Sequence, residues 1–381
     1  MKAFGPDARA FGHLMRLPLQ PHPAKIAGLW AILDSLLTFS LDSLTVGKCG
    51  VMNRDRDGSP RHWQGSAVDD CHDGRSGDDY RSARRCRHRA IPGAHTGSGD
   101  DARLRSEDCG HLSRASDLSS NELRAIIEEA KARKKKRENY NKSAADEDKP
   151  FAGRSMVMIF EKPSTRTRMS FDIAVKQLGG SSIILNPDGI HYGKGNETLK
   201  DTAKVLSQYV DIVMLRTSSH KHLEEFGKYL DIPIINGLSE QSHPCQIMSD
   251  ILTFEEFKGS IKDKTISWLG DGNNNMSNSL IEAAGKFNFN LKIGCPKKYS
   301  PNKKIISWAK KNKVNILVTT KPEEAVNNSD CVMTDKWISM NDKVNQKQKK
   351  KNLRNYQVNK KLMKKAKSDA IFMHCLPVGR G

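Results

Sequence analysis

The chain has 381 residues, enough for two domains of about 150 residues each, and its hydrophobic fraction of 37% is compatible with a globular protein. Its eight cysteines form no C-x-x-C pair, which excludes a zinc knuckle and a thioredoxin motif, and their spacing favours a reducing cytoplasm. The net charge of +19 is typical of proteins that bind nucleic acid or other anions. The lysine run at 343–351 has no interleaved aromatic residue, however, so we interpret it as a solvated face.

Residues 1–110 differ in composition from the rest of the chain. They contain 13 Arg and 3 Lys, whereas residues 111–381 contain 10 Arg and 37 Lys. The segment has long stretches without helical or strand periodicity, which predicts a disordered extension or a segment that is not part of the native gene product. Its apolar stretch, residues 26–46, contains Asp34 and Asp42, each costly near a bilayer centre, so we predict no membrane association.

Regular elements begin directly after residue 110. Ser119 and Glu122 form a capping-box pattern, and Leu123, Ile126 and Ile127 recur behind it at helical spacing. From residue 154 onward, short apolar strands alternate with helices in two successive series. In the first series the predicted strands start at residues 155, 181, 211 and 232, and the helices cover 165–178, 198–209 and 219–229.

The second series follows a predicted bridging helix at 246–258. Its strands start at residues 265, 291, 315, 331 and 370, with helices around 276–287, 302–312 and 358–366. Nearly continuous apolar strands separated by helices are typical of parallel sheets that helices cover on both faces. The sequence therefore predicts an α/β protein with two doubly wound domains, residues 111–245 and 246–381.

The segment 162–168, Lys-Pro-Ser-Thr-Arg-Thr-Arg, lies between the first predicted strand of this series and the helix that follows it. A helix N-terminus presents free N–H groups and a partial positive charge. The hydroxyl groups add further donors, and each Arg adds a planar fork that suits phosphate. The alternative is a helix cap with two solvent-facing arginines, but the combination of residues favours a phosphate site.

Residues 164–168, Ser-Thr-Arg-Thr-Arg, resemble the carbamoyl-phosphate signature of the aspartate and ornithine carbamoyltransferase family. Residues 195–205 resemble the mobile loop of that family and the helix after it, and residues 243–246, His-Pro-Cys-Gln, resemble its H-P-x-Q motif. The resemblance spans roughly residues 111–381. Both branches of the family share these motifs, so they indicate only the donor substrate, carbamoyl phosphate.

Three later segments indicate the acceptor. Residues 271–274, Asp-Gly-Asn-Asn, follow a strand, where open α/β sheets bind ligands. Residues 335–340, Asp-Lys-Trp-Ile-Ser-Met, and 374–377, His-Cys-Leu-Pro, resemble the D-x-W-x-S-M and H-C-L-P motifs of the ornithine-specific branch. The resemblance implies transfer of a carbamoyl group to the δ-amine of ornithine, giving citrulline and phosphate, in arginine metabolism.

The resemblance also implies roles for individual residues. Carbamoyl phosphate would be bound by Lys162, Ser164, Thr165, Arg166, Thr167, Arg216, His243 and Gln246, and by His191 of a neighbouring subunit in a homotrimer. Ornithine would be bound by Asn274, Asp335, Ser339, Met340, Cys375 and Leu376. The catalytic residues would be Arg216, His243, Gln246, Asp335 and Cys375. Donors placed in advance would stabilise the carbonyl oxyanion, and neither a metal nor an organic cofactor is implied.

The chain departs from the family pattern at two points. Asn341 stands where the family usually has Gly, and the chain ends at Gly381, where the family continues through a helix that carries another phosphate-binding Arg. The sequence therefore looks like a gene fragment that lacks this helix. Two alternatives stay open: a carbamoyltransferase with another acceptor, such as aspartate or putrescine, and an inactive basic homologue that binds anionic partners.

Overall fold

The computed structural model describes residues 111–187, 197–338, 345–376 and 378, together with the backbone of residues 44–48. These residues form two sheets and the helices that flank them. The strands are β1 (Leu44–Lys48), β2 (Ser155–Phe160), β3 (Ser181–Leu185), β4 (Ile212–Arg216), β5 (Ile234–Leu238), β6 (Thr265–Leu269), β7 (Asn290–Gly294), β8 (Ile316–Thr319), β9 (Cys331–Thr334) and β10 (Ile371–Cys375). The α-helices are α1 (Ser120–Lys136), α2 (Thr165–Gln177), α3 (Leu199–Tyr209), α4 (His220–Tyr229), α5 (Pro244–Lys258), α6 (Asn275–Phe287), α7 (Lys303–Lys311), α8 (Pro322–Val326), α9 (Gln346–Leu353) and α10 (Lys360–Met363).

The first sheet is parallel, with strand order β3-β2-β4-β5. Side chains of β2 alternate between its two faces. Met156 and Met158 pack with residues of α1, α2 and α5, whereas Val157 and Ile159 pack with residues of α3 and α4. Apolar residues therefore fill the whole strand, because each face is covered by helices.

Helix α1 begins at the predicted capping box. The Ser119 hydroxyl accepts the N–H of Glu122 at 3.2 Å, and the Glu122 carboxylate accepts the N–H of Ser119 at 2.7 Å. The predicted apolar stripe is confirmed, since Leu123, Ile126 and Ile127 are fully buried. The local sequence thus determines both where this helix starts and which side faces the core.

The second sheet has strand order β1-β10-β9-β6-β7-β8. Strands β6 to β10 are parallel, and helices cover both faces, with α6 against one and α8 and α10 against the other. The predicted α/β architecture with two parallel-sheet domains is confirmed. Two short helices, α8 and α9, were not predicted, and α10 is shorter than the predicted helix at 358–366.

Strand β1 departs from the expectation that residues 1–110 lack structure. Its backbone pairs antiparallel with β10, which makes the second sheet mixed at this edge. Residues 1–43 and 49–110 lie outside the described residues, so the other expectations for this segment lie there too. In the part of the chain that the structure describes, no helix is both long and apolar enough to cross a membrane.

Candidate active site

The strands of the first sheet end together beside the predicted phosphate segment. Phe160 at the end of β2 is paired with Arg216 at the end of β4, which is paired in turn with Leu238 in β5. Lys162 and the start of α2 follow β2 directly, and His243 precedes α5. Since the carboxyl ends of parallel strands lie at one edge, this edge gathers the described residues that are assigned to the donor substrate.

Arg216 is the most enclosed cation of this edge. It is 6% exposed, and its Nη1 donates to the Thr167 hydroxyl at 3.0 Å and to the Gly237 carbonyl at 3.4 Å. Its Nε is buried and has no hydrogen-bond partner. Burial, together with the nearby charge of Arg166, lowers the pKa of Arg216 to about 10. The two guanidinium groups therefore favour an anion between or beside them.

The first turn of α2 presents the remaining predicted phosphate ligands. Ser164 occupies the N-cap position, but its hydroxyl makes no capping hydrogen bond to the helix. The side chains of Lys162, Thr165 and Arg166 are exposed. These groups therefore stay accessible to a ligand at the positive end of the helix.

His243 and Gln246 place two further polar groups at the start of α5. The backbone N–H of His243 donates to the Ser279 hydroxyl at 2.9 Å, and its buried Nδ1 has no partner. Burial and then the charge of Arg216 lower the pKa of His243 to about 3, so its imidazole is neutral. Gln246 donates from Nε2 to the Asp250 carboxyl at 3.0 Å.

The predicted acceptor residues that the structure describes lie at the carboxyl edge of the second sheet. Thr334 in β9 is paired with Leu269 in β6 and with His374 in β10, so the segments after these strands are adjacent. The Cys375 thiol donates to the Asp335 carboxylate, with 3.1 Å between sulfur and oxygen. Burial and then the charge of Asp335 raise the pKa of Cys375 well above its usual value. The thiol is therefore a neutral hydrogen-bond donor rather than a nucleophile.

Asn274 is the N-cap residue of α6, in the loop that follows β6. Its side-chain Oδ1 accepts the N–H of Ser277 at 2.8 Å, which caps the helix. The oxygen of its amide group is therefore occupied, and the NH₂ end remains to donate to a ligand.

Asp250 lies between the donor residue Gln246 and the acceptor residues Asp335 and Cys375. It was not predicted from the sequence. It is 4% exposed, and it lines a small cavity with Asp335, His374 and Cys375. Burial raises the pKa of Asp250 to about 8, so it carries a proton at neutral pH. The signal that could have found it is its position four residues after Gln246 on one helix, which puts both side chains on the same face.

Asp335, His374 and Cys375 are the one group of three potential metal ligands among the described residues, with ligand atoms within 4.8 Å of one another. His374 Nδ1 lies 2.5 Å from the Cys375 carbonyl, and the thiol hydrogen bonds to Asp335. These hydrogen bonds engage His374 Nδ1 and the Cys375 thiol within the cluster itself. Leu376 follows this cluster and is half-buried, whereas His191, Ser339 and Met340 lie outside the described residues.

Two domain models of one protein family match this chain in order. The carbamoyl-phosphate-binding domain model of the aspartate/ornithine carbamoyltransferases matches residues 110–256, and their aspartate/ornithine-binding domain model matches residues 262–381. The ornithine carbamoyltransferase of Brucella ovis is 47% identical over 271 residues, which cover 71% of this chain and 84% of the relative. That of Nitrobacter winogradskyi is 48% identical over 265 residues, covering 70% of this chain and 84% of the relative.

Solved structures of ornithine carbamoyltransferases are also similar to this chain. The ornithine carbamoyltransferase from Pyrococcus furiosus has a TM-score of 0.66 and 39% identity, covering 71% of this chain and 86% of its own. The anabolic enzyme from Campylobacter jejuni has a TM-score of 0.63 and 34% identity, covering 71% and 87%. With both family models matched in order over most of the chain, this protein belongs to the aspartate/ornithine carbamoyltransferase family.

Proposed function

We propose that this protein transfers the carbamoyl group of carbamoyl phosphate to the δ-amine of L-ornithine, giving L-citrulline and phosphate. The observation that carries the choice of acceptor is the contact between Asp335 and the neutral Cys375 thiol, at 3.1 Å. A carboxylate beside a neutral donor suits a cationic amino acid. The side-chain carboxylate of aspartate would instead meet a like charge, which is unfavourable in an enclosed site. The ornithine carbamoyltransferases among its relatives support this choice.

The donor edge supplies what carbamoyl phosphate requires. Its phosphate carries about two negative charges, which suits charge-assisted hydrogen bonds from guanidinium groups and helix N–H groups. We assign the phosphate to Lys162, Ser164, Thr165, Arg166, Thr167 and Arg216, and the carbamoyl group to Arg216, His243 and Gln246. Because His243 is neutral, it adds no charge to repel the nearby arginines.

The acceptor edge holds the amine for attack. The δ-ammonium group, with a pKa near ~10.4 by analogy with Lys, must first lose a proton. This first proton passes to water. The neutral nitrogen then forms a bond to the carbonyl carbon, the bond to the phosphate oxygen breaks, and the departing phosphate takes up one of the two amine protons, while the other stays on the nitrogen of citrulline. Asp335 and Ser339 hold the α-amino group, Asn274 and the Met340 N–H hold the carboxylate, and Cys375 with the Leu376 segment orients the amine. Much of the rate comes from holding both reactants in near-attack geometry.

The proposal includes a cytoplasmic homotrimer that works in arginine metabolism and shares its active sites between subunits. Met169 on α2 is 57% exposed, and Ile183 on the neighbouring strand β3 is 46% exposed. Exposed apolar side chains on and beside the edge strand β3 support a contact between subunits. Such a contact would allow His191 to reach the phosphate of the adjacent subunit.

The test is formation of the carbamoylated acceptor from carbamoyl phosphate with ornithine, aspartate or putrescine; with ornithine this product is citrulline. We expect turnover with ornithine, and a rise of at least ten-fold in KM for ornithine in Asp335→Asn with little change in KM for carbamoyl phosphate. Turnover with aspartate or putrescine in preference to ornithine would show that the acceptor is wrong. Salt-dependent binding of polyanions without any carbamoylation would support the inactive homologue instead.

A further inference from the structure

Helix α9 carries part of the lysine run that the sequence predicts to be a solvated face. Lys347 and Lys350 are exposed, in agreement with that prediction. Lys349 lies between them and is only 3% exposed, so the prediction is wrong for this residue. A lysine ammonium group is rarely buried without a partner, because its desolvation costs several kcal/mol in real proteins.

The partner of Lys349 is a carboxylate at the acceptor edge of the second sheet. Its Nζ lies 2.5 Å from Asp271 Oδ2, and the Asp271 side chain is only 7% exposed. The same ammonium group lies 5.6 Å from the centre of the Tyr299 ring, within range of a cation–π interaction. Both charges of this ion pair are therefore enclosed, and each depends on the other.

Asp271 in turn shapes the loop that ends at Asn274. Its other oxygen, Oδ1, accepts the N–H of Asn273 at 2.8 Å. The loop is packed closely at Gly272, where an added Cβ would lie 2.8 Å from the Tyr299 carbonyl oxygen. The Lys349 ammonium thus holds the carboxylate that sets the backbone leading to Asn274.

Lys349 also belongs to the first helix after the segment that contains Ser339 and Met340. Helix α9 starts at Gln346, only a few residues beyond that segment. The ion pair therefore connects the loop before α6 to helix α9.

We propose that Lys349 is a positioning residue for the acceptor site. Through Asp271 it fixes the loop that presents Asn274. This inference rests on the proposed ornithine function. It assigns to one lysine of a basic helix a role in ornithine affinity that its exposed neighbours do not share.

The test compares Lys349→Met with Lys350→Met, a matched change at an exposed position of the same helix. We expect Lys349→Met to raise KM for ornithine at least ten-fold while KM for carbamoyl phosphate stays within two-fold of the parent chain. Lys350→Met should change neither constant by more than two-fold. Asp271→Asn should raise KM for ornithine in the same way, and the double variant should show less than the product of the two single effects.

A merely structural ion pair would give a different result. It would lower the thermal midpoint of Lys349→Met and leave KM for ornithine within two-fold of the parent value, and that outcome would overturn the inference. If Lys349→Met does not fold, the double variant Lys349→Met/Asp271→Asn takes its place, because it contains no unpaired buried charge. The parent chain is assayed first. If it makes no citrulline, the proposed function fails, whereas an active variant with unchanged ornithine affinity refutes only the role of Lys349.

Discussion

Replacing Arg216 with Met should separate the stability of this protein from its affinity for carbamoyl phosphate. Burial and the charge of Arg166 lower the pKa of Arg216 from 12.5 to about 10. At 1.36 kcal/mol per pKa unit, the charged side chain costs the ligand-free protein about 3 kcal/mol of folding free energy. Met has a similar length and no charge, so the free energy of folding of the variant does not include this unfavourable contribution.

The substitution also removes two hydrogen bonds, to the Thr167 hydroxyl and the Gly237 carbonyl. Each contributes about 1 kcal/mol to stability. The free energy of unfolding of Arg216→Met should therefore be equal to that of the parent chain or about 1 kcal/mol higher. A gain of that size would raise the thermal midpoint by about 2–4 °C.

Binding and turnover should change in the opposite direction. A hydrogen bond to a charged group contributes about 1.5–3 kcal/mol, so carbamoyl-phosphate affinity should fall roughly 10- to 150-fold. Turnover should fall further, by about 10²- to 10³-fold, if Arg216 also stabilises the oxyanion. Calorimetric titration with carbamoyl phosphate, thermal unfolding of the ligand-free protein and the citrulline assay measure the three quantities.

Arg168→Met is the matched control for this experiment. Arg168 lies two residues from Arg166 on α2, and its guanidinium lies 5.9 Å from the centre of the Phe160 ring. Unlike Arg166, it is not among the charges that lower the pKa of Arg216. Its removal should leave carbamoyl-phosphate affinity within about three-fold of the parent value. The reasoning is refuted if Arg216→Met binds carbamoyl phosphate as tightly as the parent chain, or if it loses more than about 2 kcal/mol of stability in the absence of ligand.

Three further predictions concern other buried groups. Cys375→Ser keeps a donor to Asp335 and Cys375→Ala does not, so citrulline turnover should be at least ten-fold lower in the Ala variant; equal turnover in both would show that this hydrogen bond has no catalytic role. The pKa of Asp250 is about 8 in the folded protein and ~3.9 when unfolded. The folded protein therefore binds this proton more tightly than the unfolded chain does, and the resulting stabilisation is lost as pH rises from about 4 to 8. Asp250→Asn should therefore raise the thermal midpoint at pH 8 and leave it unchanged near pH 4, and a gain that does not depend on pH would contradict this assignment. Burial lowers the pKa of His220 to about 4, below its unfolded value of ~6.5, so the stability it contributes above pH 6.5 is lost as pH falls towards 4. His220→Gln should flatten the decline of the thermal midpoint between pH 6.5 and 4, and a decline as steep as that of the parent chain would rule out this explanation.

The sequence by itself determined the order and type of most elements. A capping box, a helical stripe and an apolar strand are local patterns, because the residues that define each of them lie within a few positions of one another. The alternation of strands and helices also determined the parallel sheets, because parallel strands require such connections. The resemblance to the family then implied roles for Arg216, Asp335 and Cys375, each of which lies at or directly after the end of a strand.

The tertiary structure alone decided which polar groups are buried and what they contact. Lys349 has the same local sequence context as its exposed neighbours, and only the approach of Asp271 from another strand end makes it an internal cation. Asp250 looks like an ordinary acidic residue of a helix, and it retains a proton because folding encloses it near Asp335. Strand β1 was missed for the same reason, since its partner β10 is distant in the chain. Desolvation and long-range pairing depend on residues that are far apart in sequence, so no local pattern reports them.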